Sequence, residues 1–139
     1  MRVKQVEVSA LCHATEDPEK LRAALSFLTG SERIAEENLE GVYGEPITLM
    51  KVKQEGKPAE LLFEKVTSDP ENKKKLLEDL DLRLEGWKLY VRLDKQELVR
   101  GRILVGSGDN TIKLVIVAGG KAEKGGSKGF FAASLGEKP

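Results

Sequence analysis

Lys88, Tyr90 and Arg92 alternate with Trp87, Leu89, Val91 and Leu93 along residues 87–94. Alternation of period two predicts a half-buried β-strand, with the apolar set inward and the polar set outward. The outward set interleaves two cations with an aromatic ring. Lys88 and Arg92 can neutralise phosphate, and Tyr90 offers a base a stacking partner. An ordinary solvated strand face carries similar residues without any such role. The continuation raises the interest, because Lys95, Arg100 and Arg102 follow where the strand should end. Lys51 and Lys113 extend the set from neighbouring predicted strands. Arginine presents a planar fork that can chelate phosphate, and lysine a point charge.

Other chemistry finds less support. His13 is the one histidine of the chain, so a histidine metal cluster and a two-histidine relay are excluded. It lies in a predicted strand-to-helix turn beside Thr15 and Asp17. There it serves either a local turn hydrogen bond or a phosphate near the helix start. Cys12 is the single cysteine and sits in an apolar run, which predicts a buried structural thiol. Adjacent strand residues point to opposite faces, so Cys12 and His13 should not act together. Gly41-Val42-Tyr43-Gly44, Gly106-Ser107-Gly108 and Gly119-Gly120-Lys121 lack the spacing and context of nucleotide loops and read as turns or linkers. Glu36-Glu37 and Glu78-Asp79 form no local catalytic motif. The expectation is a non-enzymatic chain without metal or cofactor.

The elements that must position these residues belong to one domain, since 139 residues suffice for a core without disulfides. No apolar run is long enough for a membrane span, and the N-terminus lacks a signal-peptide core, so the expected location is cytoplasmic. The net charge is zero, but unevenly divided. Residues 1–50 hold 5 Lys/Arg against 9 Asp/Glu, and residues 51–139 hold 18 against 14. A polyanion surface should therefore come from the second part of the chain.

Val6, Val8, Ala10 and Cys12 alternate in a first strand. Asp17-Pro18 then starts a helix with a Leu21, Ala24, Leu25, Leu28 stripe, closed by Gly30. Strands are expected at 34–39 and 47–54, and a helix at 58–67 with Leu61, Leu62, Phe63 and Val66 as its apolar members. Asp69-Pro70 restarts a helix through Leu80. After the strand at 87–94 come a helical turn at 95–100, a strand at 102–105 and an apolar strand at 111–117. This order predicts an α+β sandwich, β-α-β-β-α-β with added C-terminal strands. Its mostly antiparallel sheet has helices on one face and leaves the other free. Residues 1–118 would form the domain. Residues 119–139, with 6 of the 14 glycines, read as a Gly/Lys-rich flexible tail. Phe130-Phe131 within that tail points to docking, on the domain, a second copy or a partner.

Three segments resemble an archaeal family described as predicted RNA-binding proteins and exosome subunits. They are Cys12-His13-Ala14-Thr15-Glu16-Asp17, Gly41-Val42-Tyr43-Gly44-Glu45-Pro46-Ile47 and Leu89-Tyr90-Val91-Arg92-Leu93-Asp94-Lys95-Gln96. Their order and spacing agree over residues 3–117. The resemblance implies an α+β fold like that of an RNA-binding ribosomal protein. It also implies work in RNA processing or ribosome assembly, beside exosome or ribosome-associated proteins. Residue by residue it points to His13, Thr15, Asp17, Tyr43, Gly44, Arg92, Asp94, Lys95 and Gln96, with Asp94 equally suited to capping the following turn.

The expected function is RNA binding through Lys88, Tyr90, Arg92, Lys95, Arg100, Arg102, His13 and Tyr43, with Arg92 and Lys95 at its centre. The rival is a protein-interaction or assembly module, homo-oligomers included. There Trp87, Tyr90 and Phe130-Phe131 would bury against another chain.

Overall fold

The computed structural model describes residues 3–119 and 126–135. Alternation builds its strands. In β1 (Val3–His13), Val6, Val8, Ala10 and Cys12 are buried, while Ser9 and Glu7 turn away from the core. After α1 (Pro18–Thr29) the chain forms a hairpin of β2 (Ala35–Glu40) and β3 (Pro46–Glu55). Three helices follow: α2 (Lys57–Thr67), α3 (Pro70–Glu78) and the single turn α4 (Leu80–Arg83). The chain then adds β4 (Leu84–Glu85), β5 (Lys88–Asp94), α5 (Lys95–Val99), β6 (Thr111–Ala118) and α6 (Gly126–Ser134). The six strands form one sheet of order β2-β3-β1-β6-β5-β4, and every neighbouring pair is antiparallel. The fold is α+β, as expected from the element order.

Helix signals act as the sequence implies. The Asp17 and Asp69 carboxylates accept hydrogen bonds from the Glu19 and Glu71 amides, and a proline opens the first turn in each case. Gly30 closes α1 at φ +73°, a conformation that favours glycine, with its amide bonded to the Ser26 carbonyl. Leu21, Ala24, Leu25 and Leu28 of α1, with Ala59, Leu62, Phe63 and Val66 of α2, cover the buried sheet face. Leu61 is exposed rather than part of that stripe, because α2 turns it away from the sheet. The helix expected to run through Leu80 breaks at Asp79, where the backbone leaves helical geometry before α4.

Two further expectations about the elements are corrected. Residues 102–105 form no strand and touch the sheet through a single bridge, Leu93 to Val105. Side chains of α3 take up the backbone groups that a strand would have paired. Asn72, fully buried, donates to the Val66 and Ile103 carbonyls at 3.0 and 2.8 Å and accepts from the Val105 amide at 2.9 Å. Lys75 Nζ donates to the Val105 carbonyl at 3.1 Å. The segment still covers the outer edge of β5, through the Asp94 amide to Leu104 and the Gly106 amide to Arg92. A covered edge offers no template for stray strand pairing.

The second correction concerns the tail. Residues 126–135 are a helix and its following turn, with Phe131 fully buried and Phe130 nearly so. Phe131 stacks edge-on against Phe63 of α2 at 6.2 Å and against Phe130 at 5.0 Å. Burying a phenylalanine contributes roughly 1.5–3 kcal/mol, enough to hold a short helix in place. Phe130-Phe131 thus docks on its own domain and is not free for another chain. The rest of the expected tail, 120–125 and 136–139, lies outside the described residues.

Candidate nucleic-acid interface

The strand registers determine which outward side chains become neighbours. Ser9 of β1 stands opposite Lys51 of β3 on one side and Lys113 of β6 on the other, and Lys113 stands opposite Arg92 of β5. The order Lys51–Ser9–Lys113–Arg92 therefore forms one row across four strands on the open face. Strands lie about 4.8 Å apart, so the row spans roughly 14 Å. One step further are Lys53, Glu7, Val115 and Tyr90, and beyond them Glu55, Gln5, Val117 and Lys88. Lys51, Lys88, Arg92 and Lys113 are all exposed.

Among the described residues, these four cations have no carboxylate partner. Lys20, Lys57, Lys73 and Lys74 of the described residues are unpaired as well, so what sets the row apart is its alignment across four strands, while several other basic side chains are tied to acids. Arg22 pairs with Glu19 and Glu36, Lys75 with Glu71, Arg83 with Asp79, and Lys128 with Asp81. Arg92 makes only long contacts from Nη1, 3.4 Å each, to the Gly108 carbonyl and the Thr111 hydroxyl. These orient the guanidinium and leave its remaining donors for a ligand. Tyr90 stands on the same face, and its hydroxyl donates to Glu85 at 2.9 Å, which tethers the ring. That bond, with some burial, raises the phenol pKa.

His13 ends β1 and lines a groove whose other walls include Ser9, Leu11, Arg92, Lys113, Asp109 and Lys95. Its backbone also serves the turn, the His13 carbonyl accepting from the Glu16 amide at 2.9 Å.

Lys95 is corrected. It is 4% exposed, and its ammonium donates to the Leu11 carbonyl at 2.7 Å and to both oxygens of Glu16 at 3.1 and 3.2 Å. All three ammonium donors are used, so Lys95 has none left for phosphate. Glu16 also accepts from the His13 amide at 2.9 Å. Burial pushes the Glu16 carboxyl up, but the His13 amide and the Lys95 ammonium outweigh it and hold it below the usual carboxylate range. The first and third motif segments are thus joined here, and the join fixes the β1 exit that carries His13. Asp94 caps α5 by accepting from the Glu97 amide at 2.9 Å, the capping alternative for that residue.

Arg100 and Arg102 do not join the row. Both reach back to Glu97, at 3.7 and 3.4 Å, from a turn whose helix α5 packs on α1 in the helical layer. Tyr43 is 92% exposed at the tip of the β2–β3 hairpin, outside the sheet face. Trp87 packs against the core. Ser9, Lys53 and Glu7 were missed, because their membership depends on register and register cannot be read from β1 and β3 alone. Among the described residues no group of His, Cys, Asp or Glu could hold a metal ion, and no helix is long and apolar enough to cross a membrane.

Residues 5–118, from β1 to the end of β6, match a family model described as RNA binding. An uncharacterised protein from Methanocaldococcus jannaschii is 37% identical over 124 residues, or 81% of this chain and 83% of that protein. A solved DUF54 structure from Archaeoglobus fulgidus is similar at TM-score 0.79 and 28% identity, covering 96% of this chain and 99% of that one. A DUF54 protein from Methanothermobacter thermautotrophicus has the same fold, at TM-score 0.80, 23% identity and 96% of each chain. The match runs through every strand that builds the open face, and the chain belongs to this archaeal family described as RNA binding.

Proposed function

We propose that this protein is a non-enzymatic RNA-binding module that holds the RNA backbone on its open sheet face, within RNA processing or ribosome assembly. The observation that carries the reading is the row Lys51–Ser9–Lys113–Arg92, whose cations lack carboxylate partners among the described residues. Phosphate contacts position a nucleic acid and dominate its affinity, and unpaired cations in a fixed array supply them without first breaking an ion pair. Lys88 lies on the same face, and Ser9 adds a hydroxyl. The family to which the chain belongs supports the same partner.

The test is a salt titration of RNA affinity. Wild type should bind at low salt, with affinity falling steeply as salt rises. The triple variant Lys51→Ala, Arg92→Ala, Lys113→Ala removes up to three phosphate contacts. It should flatten the slope of log K against log salt by about 2–3. All three side chains are exposed, so the fold should be retained, as circular dichroism will verify. An unchanged slope in a folded triple variant, or no binding by wild type at low salt, refutes the reading.

A further inference from the structure

The open face is not uniformly basic, and its pattern distinguishes forms of RNA. One step to one side of the cation row stand Leu11 and Leu49, opposite one another on β1 and β3, with Ile47 beyond them. On the other side stand Val115 and Tyr90, opposite one another on β6 and β5, with Val117 beyond. Leu11 is 41% exposed and the others are partly exposed, although they lie on the face that no helix covers. Rows along a strand repeat every two residues, about 6.7 Å, so an apolar pair lies close to the cations on each side. These are Leu11 with Leu49 on β1 and β3 and Val115 with Tyr90 on β6 and β5, while Lys53 and Glu7 complete the second of these rows. The central strand adds hydrogen-bonding groups rather than charge of one sign: Ser9 in the row, then Glu7 and Gln5.

From this pattern we infer that the open face selects single-stranded over double-stranded RNA, with the backbone running along the cation row across the strands. The inference rests on the RNA-contact reading above. A single strand can place phosphates on Lys51, Lys113 and Arg92 while its splayed bases settle on the apolar pairs beside them, Tyr90 supplying a ring to stack on. Glu7 can accept from the exocyclic amino group of such a base. A duplex keeps its bases inside and presents phosphates and sugars. It would leave the apolar pairs without a match and press phosphates towards the Glu7 carboxylate. Charge complementarity alone therefore favours an RNA, and the flanking apolar pairs favour an unpaired one.

Fluorescence anisotropy at low salt decides it, with an unstructured RNA of about 12 nucleotides and the duplex of the same sequence. The single strand should bind at least about tenfold more tightly. Leu49→Ser and Val115→Ser, both on the solvent face, should each weaken single-strand affinity about fivefold and leave the duplex nearly unchanged. Equal or tighter duplex binding overturns the inference while RNA binding itself survives. Unchanged single-strand affinity in both folded variants also overturns it. Failure of wild type to bind either RNA removes the RNA-contact reading as well.

Discussion

Lys95→Met destabilises the protein by about 3–5 kcal/mol, because it leaves Glu16 with an uncompensated, partly buried carboxylate. Chemical denaturation measures the loss as a fall in midpoint. The change also removes the donor to the Leu11 carbonyl, so part of the cost is an unpaired backbone group. Adding Glu16→Gln to Lys95→Met should recover part of the stability, and a double-mutant cycle gives the coupling. The sign of the pH dependence follows from Glu16. Its folded-state pKa is lowered, so its contribution is present above the ordinary carboxylate value and is lost as pH falls through the lowered one. The gap between wild type and Glu16→Gln should therefore close in acid. RNA affinity of folded Lys95→Met, measured below its unfolding transition, should change less than that of the cation-row variant. A stable Lys95→Met protein that fails to bind RNA would contradict the structural role.

Asn72→Ala should cost about 2–4 kcal/mol. It removes three hydrogen bonds at a fully buried position and leaves the Val105 amide without its acceptor. Residues 102–106 depend on this side chain, together with Lys75, for their position along β5. Amide exchange at Val105 and Gly106 should accelerate beyond the global effect, since their local opening no longer breaks the Asn72 contact. Denaturation and hydrogen exchange check both parts. A loss below about 1 kcal/mol would show that solvent or a neighbour replaces Asn72.

These residues also show where sequence reading ends. The strand containing Lys88, Tyr90 and Arg92 was legible because alternation reports which face is buried, and caps such as Asp17 and Asp69 act locally. Lys95 looked equivalent to Arg92 from its charge. Its burial depends on Glu16, 79 residues away in the chain, and no local pattern reveals that distance. Residues 102–105 carry strand-like residues, yet Asn72 and Lys75 from α3 capture their backbone groups. Phe130-Phe131 signalled docking through its apolar character, but only the packing against Phe63 shows where it docks. The cation row depended on register across β3, β1, β6 and β5. Lys51 and Lys113 were recognisable as candidates, and Ser9 between them was not.

The most direct test of the open-face account is a lysine footprint. Acetylation of the free protein and of the RNA-bound protein, read by mass spectrometry, compares sheet lysines with helix lysines. Bound RNA should protect Lys51, Lys88 and Lys113, while Lys20 on α1 and Lys74 on α3 react at the same rate with and without RNA. Protection of Lys20 and Lys74 with undiminished labelling of Lys51 and Lys113 would place the RNA on the helical layer and contradict the account.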